Sequence, residues 1–138
     1  MSDDTEIYNA LCCYTLEHGD PTFIHQYVVD AYMAQHADEH TKPIGITFAL
    51  VGLYLHVVRG FSGKDVQRTH MTLAQRKRTW STFALPRERG DVTVADVMAK
   101  AAGPDRDAAI DRWCVSVWNA YGDSHQAVIE LLREFGIV

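Results

Sequence analysis

No apolar run in this chain is long enough to cross a bilayer. The longest, Ile44 to Val58, is interrupted by Thr47 and His56 and covers fifteen residues, which suits a buried central helix. Cysteine is scarce. Cys12, Cys13 and Cys114 are an odd count without CxxC spacing, so reduced thiols are expected rather than a disulfide scaffold. Cys13 and Cys114 read as core fillers. There is no GxSxG nucleophile elbow and no Gly-rich phosphate loop; Gly60-Phe-Ser-Gly-Lys-Asp lacks the four-residue gap such a loop needs. HExxH and paired Glu-x-x-His are absent, and glutamate hardly occurs at inward positions. This argues against a carboxylate-bridged di-iron centre. The acidic start, Met-Ser-Asp-Asp-Thr-Glu, leads straight into a helical pattern rather than a signal peptide, so a cytoplasmic location is expected.

What the chain does have is the make-up of one ordinary soluble domain spanning 1–138. Its 138 residues are 47% apolar and 22% charged, which excludes intrinsic disorder. No repeat, low-complexity tract or linker divides it. The net charge of −5 is uneven: −7 over residues 1–58, +5 over 59–91 and −3 over 92–138. The basic stretch holds Lys64, Arg68, Arg76, Lys77, Arg78, Arg87 and Arg89. With the remainder acidic, it suits a solvated loop or an anionic-ligand rim better than nucleic acid. Neither nucleic acid nor a membrane is an expected partner, whereas a small-molecule ligand is. Opposed acidic and basic surfaces leave a homodimer open.

The periodicity predicts helices throughout. Ile7, Leu11, Tyr14 and His18 mark a first helix over residues 4–18, stopped by Gly19-Asp20-Pro21. Pro21 suits the first turn of a second helix running to about Ala37, with His25, Val29, Tyr32 and His36 facing inward. A third, about Ile44–Arg59, is apolar nearly all round. Ser62 is a candidate N-cap for a fourth, about Gly63–Gln75, striped by Val66, His70 and Leu73. Residues 76–92 read as a long ordered loop. Thr93 and Asp96 form a capping-box pattern opening a short helix to about Lys100. From Pro104 a last helix carries Cys114, Val117, Tyr121, His125, Val128 and Leu132 on one stripe if it continues through Gly122, where a kink is the alternative. The expected fold is an all-α, single-domain bundle of four main helices plus a short one.

Four histidines, His25, His56, His70 and His125, thus fall on inward faces of four predicted helices. A buried imidazole needs a partner, and several converging in a bundle core suit a metal ion. His56 is the sharpest, being the only strongly polar residue between Phe48 and Val58. The functional expectation is a metal-binding protein, with His25, His56 and His70 as ligands and His125 or Cys12 as a fourth. An open coordination position would serve a metal-dependent enzyme acting on a small molecule. Zinc is the default, with iron, copper and nickel as options. The alternative is a non-catalytic ligand- or protein-binding module whose core histidines are satisfied by hydrogen bonds. His36 and His40 read as a solvated helix end, and His18 as a helix C-terminal cap. Asp30 is expected to reach Arg59 or Arg68, or to hold a histidine's second nitrogen. A third idea makes Cys12 a nucleophile beside an inward histidine.

The stretch Tyr8-Asn-Ala-Leu-Cys-Cys-Tyr-Thr-Leu-Glu-His-Gly-Asp-Pro-Thr-Phe-Ile-His-Gln-Tyr-Val-Val-Asp-Ala-Tyr is similar to one from an uncharacterised bacterial family of small helical proteins. Leu53-Tyr-Leu-His and Val66-Gln-Arg-Thr-His-Met extend the likeness over most of the chain. That family is a domain of unknown function, so the resemblance implies no activity, substrate or cofactor. The arrangement also looks distantly like DinB-type metal-binding bundles, which hold a metal with three core histidines. Those place two ligands one turn apart on one helix, a pattern this chain lacks on an inward face, so the likeness is analogy alone.

Overall fold

A computed structural model describes residues 3–17, 21–76 and 79–138, the Asp3 side chain excepted. Among the described residues all regular structure is helical. In order come α1 (Asp3–Glu17), α2 (His25–His36), α3 (Pro43–Val57), α4 (Gly63–Arg76), α5 (Val94–Met98), α6 (Pro104–Ala120) and α7 (His125–Glu134). The expected all-α bundle forms, divided more finely than four main helices plus a short one. No helix among the described residues is long and apolar enough to cross a membrane.

α3 is the hub, packing against α2, α4, α6 and α7. Nine of its residues between Ile46 and Leu55 are buried, because a helix apolar on every side needs cover on every side. α4 is amphipathic instead, burying Val66, Thr69, His70 and Leu73 at helical spacing. α2 lies closest to α3 at Gly52. A Cβ there would stand 1.8 Å from Asp30 Oδ2, so only glycine admits this approach.

Two helix boundaries differ from the sequence expectation. α2 begins at His25 rather than Pro21, since Phe23 adopts a left-handed φ of 62° that no right-handed helix contains. Tertiary contacts hold that segment: the Thr22 carbonyl accepts from Lys64 N at 3.1 Å. Gly63 comes so close that a Cβ would lie 1.8 Å from the Phe23 carbonyl oxygen. At the other end, the C-terminal helix breaks. Tyr121, at φ −93° and ψ 30°, ends α6, and one 3₁₀ turn over Gly122–Ser124 leads into α7. The Tyr121 hydroxyl donates to the Ala34 carbonyl at 2.6 Å, fixing the break against α2.

The loop over 79–93 is irregular, as expected, but it is tied down by Arg89. Arg89 Nη1 donates to the carbonyls of Ala34, Gln35 and Ala37 at 3.4, 3.3 and 2.7 Å, and its Nε donates to the Pro86 carbonyl at 2.6 Å. These α2 carbonyls are the ones a helix C-terminus leaves unpaired. Gln35 adds bonds to the Arg89 and Val92 carbonyls, while its Oε1 accepts from Trp113 Nε1 at 2.8 Å. Arg89 is therefore a cap, not part of a solvated rim. Thr93 and Asp96 form the capping box of α5. His18, the Gly19-Asp20 stop, Lys77 and Arg78 lie outside the described residues.

Candidate functional site

Of the four histidines expected to face inward only His70 is buried; His25, His56 and His125 are half-buried, and each of the four has a partner of its own. His25 Nδ1 lies 3.0 Å from Thr15 Oγ1 on α1, and burial lowers its pKa. His70 Nε2 donates to the Phe48 carbonyl at 2.8 Å while the ring stacks on Phe48 at 4.8 Å. Desolvation lowers the His70 pKa from 6.5 to about 4, outweighing that hydrogen bond, so it is neutral at neutral pH. His125 Nε2 donates to the Trp118 carbonyl at 2.7 Å, with the rings stacked 3.8 Å apart. His56 Nε2 donates to Asp111 Oδ1 at 2.9 Å. None of these bonds joins one histidine to another. Among the described residues, no group of three or more His, Cys, Asp or Glu side chains is disposed to hold a metal ion.

The remaining candidates are also spoken for. His36 bridges the Tyr32 carbonyl and Asp4 Oδ2, both at 3.1 Å, and stacks on Tyr32. His40 is exposed beside Glu39. Cys12 hydrogen-bonds Tyr8, and burial raises its thiol pKa, the opposite of nucleophile activation. Asp30 meets neither an arginine nor a histidine. Its Oδ1 accepts from Gln26 Nε2 at 3.1 Å, while Oδ2 is buried against Gly52 with no hydrogen-bond partner. Full burial pushes the Asp30 pKa well above the usual carboxylate range.

His56 differs from the other three because it borders a cavity. The last turn of α3 places it between α2 and α6, where its ring stacks on Tyr27 at 3.5 Å. Tyr27 is itself fixed, its hydroxyl donating to the Phe61 carbonyl at 2.7 Å. The cavity, about 320 Å³, is bounded by Tyr27, His56, Ser62, Asp107, Ile110 and Asp111, with Thr22, Ile24 and Gly60 at its edge. Asp107, Ile110 and Asp111 lie three and four residues apart on α6 and so share one face. Asp107 Oδ1 accepts from the Tyr14 hydroxyl at 2.7 Å, and Ser62 Oγ caps α4 by accepting from Asp65 N at 3.1 Å. The left-handed Phe23 sits between two edge residues; strain of this kind in a bulky residue is kept where surroundings demand it, and it clusters at working sites.

The pairing supplies chemistry. A carboxylate only accepts, so Asp111 places the proton of a neutral His56 on Nε2 and leaves Nδ1 as an acceptor. Nδ1 has no hydrogen-bond partner among the described residues. The arrangement can bind a polar small molecule or accept a proton from one. Sequence pattern alone does not single out Asp107 and Asp111. Their four-residue spacing is visible there, but nothing local says that α3 will bring His56 opposite them. A family model described as a family of unknown function (DUF5946) matches residues 5–122, a span that includes Phe23, His56 and Asp111. No curated protein and no solved structure matches the chain.

Proposed function

Because the chain belongs to DUF5946, a family whose description assigns no activity, we propose on geometry alone that it is a helical module binding a small polar molecule beside His56 and Asp111. One observation carries this reading: a His–Asp pair, its ring held by Tyr27, opens on a cavity of about 320 Å³. Cavities of roughly 300–1,000 Å³ with a few convergent polar groups are the usual form of small-ligand sites. The competing reading is a zinc ion, with iron, copper or nickel as substitutes, held by His25, His56, His70 and His125. It requires at least three imidazoles to leave hydrogen-bonded partners on different elements. The ligand reading requires no such rearrangement.

Both readings meet the same two measurements. In a fragment screen followed by amide NMR, bound fragments should shift His56, Ile110 and Asp111 together. Shifts confined to another cavity, such as the one lined by Thr47, Phe83 and Leu131, or no saturable shifts at all, would overturn the proposal. Elemental analysis of protein purified without an affinity tag should find well under one metal per chain. A stoichiometric metal lost on replacing His56 by glutamine would establish the zinc reading instead.

A further inference from the structure

We infer that the occupant of the His56–Asp111 cavity is an organic cation, a primary ammonium or amidinium carried on a short apolar body. This rests on the ligand-binding reading and names its ligand class. Two carboxylates, Asp107 and Asp111, are the acidic groups of the cavity wall, beside the Thr22 and Ser62 hydroxyls. Asp111 uses one oxygen on His56, and Asp107 uses one on Tyr14, which leaves a second carboxylate oxygen on each without a partner among the described residues. His56 stands beside them, its Nε2 on Asp111 Oδ1. Among the described residues, no lysine or arginine lines the cavity; the nearby Arg106 lies over the Tyr14 ring. A guest that supplies several N–H donors and one positive charge complements the two carboxylates, whereas a carboxylate or phosphate guest would face them with like charge.

The apolar part of the wall sets the rest of the ligand. Ile110 stands between the two aspartates on α6, and Ile24 and the edge of the Tyr27–His56 stack complete a surface for a ring or short chain. The carboxylate side is open: the Asp111 side chain is 63% exposed, against 16% for His56. Charge recognition at such a rim is modest and sensitive to salt. The apolar contact must therefore supply the remaining selectivity. Tyr27 is a positioning residue here, since it fixes the imidazole plane rather than touching charge.

The test is a set of amide NMR titrations of the full chain near neutral pH with benzylammonium, benzyl alcohol and benzoate. Benzylammonium should give saturable shifts at His56, Ile110 and Asp111, with a Kd at least about five-fold lower than benzyl alcohol. Benzoate should give none there. High salt and the Asp111→Asn variant should each erase the preference over benzyl alcohol. The amide introduced by Asp111→Asn retains an acceptor for His56 Nε2, and Asp107→Asn is a second variant should the first fail to fold. Equal binding of ammonium and alcohol, tighter binding of benzoate, or an unchanged preference in both variants would overturn the inference. If benzyl alcohol binds at these residues while benzylammonium gains nothing, the cation class alone falls. If no probe binds there, the ligand-binding reading falls with it.

Discussion

Asp30 and Gly52 are coupled at the level of single atoms. Gly52→Ala drives a methyl into the Asp30 carboxyl and is expected to cost roughly 1–3 kcal/mol, as overpacking in a closed helix contact does. Adding Asp30→Ala should recover much of that loss; strictly additive losses in urea melts would refute the contact. Asp30 also titrates oppositely to His70. Its folded pKa is raised, so its contribution is complete below the unfolded value and declines as pH rises from there. Asp30→Asn should remove that decline. His70, lowered to about 4, favours the fold above its unfolded value of 6.5 and withdraws that support as pH falls between the two. The full effect is about 3 kcal/mol. His70→Leu should flatten the acid limb of a stability–pH curve; an unchanged limb would assign acid sensitivity elsewhere. The inward stripe marked His70 as buried, but a stripe cannot say that its partner is a backbone carbonyl of the neighbouring helix.

Among the elements, the end of α2 and the loop over 79–93 stand or fall together. Arg89 reaches three carbonyls at the C-terminal end of α2, those of Ala34, Gln35 and the capping Ala37, from one guanidinium nitrogen, so Arg89→Ala is expected to cost about 2–4 kcal/mol. Hydrogen exchange should then rise both at 34–37 and at 86–92. Arg89→Lys, lacking the planar fork, should restore less than half. Exchange confined to the loop would show that α2 does not depend on it. The entry to α2 is held as tightly. Gly63→Ala brings a Cβ against the Phe23 carbonyl and should displace the 21–24 segment, weakening ligand binding at His56 along with stability. Helix existence, the loop and the α5 capping box were legible in the sequence because each is signalled within a few residues. The start of α2 and the role of Arg89 were not, since both are set by chain far away in sequence.

At the scale of the whole molecule, no three His, Cys, Asp or Glu side chains among the described residues come together as a metal site. Chelator treatment should leave the Tm unchanged, because each imidazole bonds to protein groups; a fall on EDTA that zinc reverses would count against this. Sequence alone determined that the chain folds as all-α, that α3 is its centre and that His70 is buried. These follow from hydrophobic period and punctuation, which are local and additive along the chain. Only the tertiary structure decided what the histidines meet. Inwardness specifies a face of one helix, whereas convergence depends on how far along and around each helix its neighbour packs. That is set by close contacts such as Gly52 on Asp30 and Gly63 on Phe23. The same packing brought Asp111 to His56 and left a cavity beside them, so the candidate site lies where two helices meet and belongs to neither pattern alone.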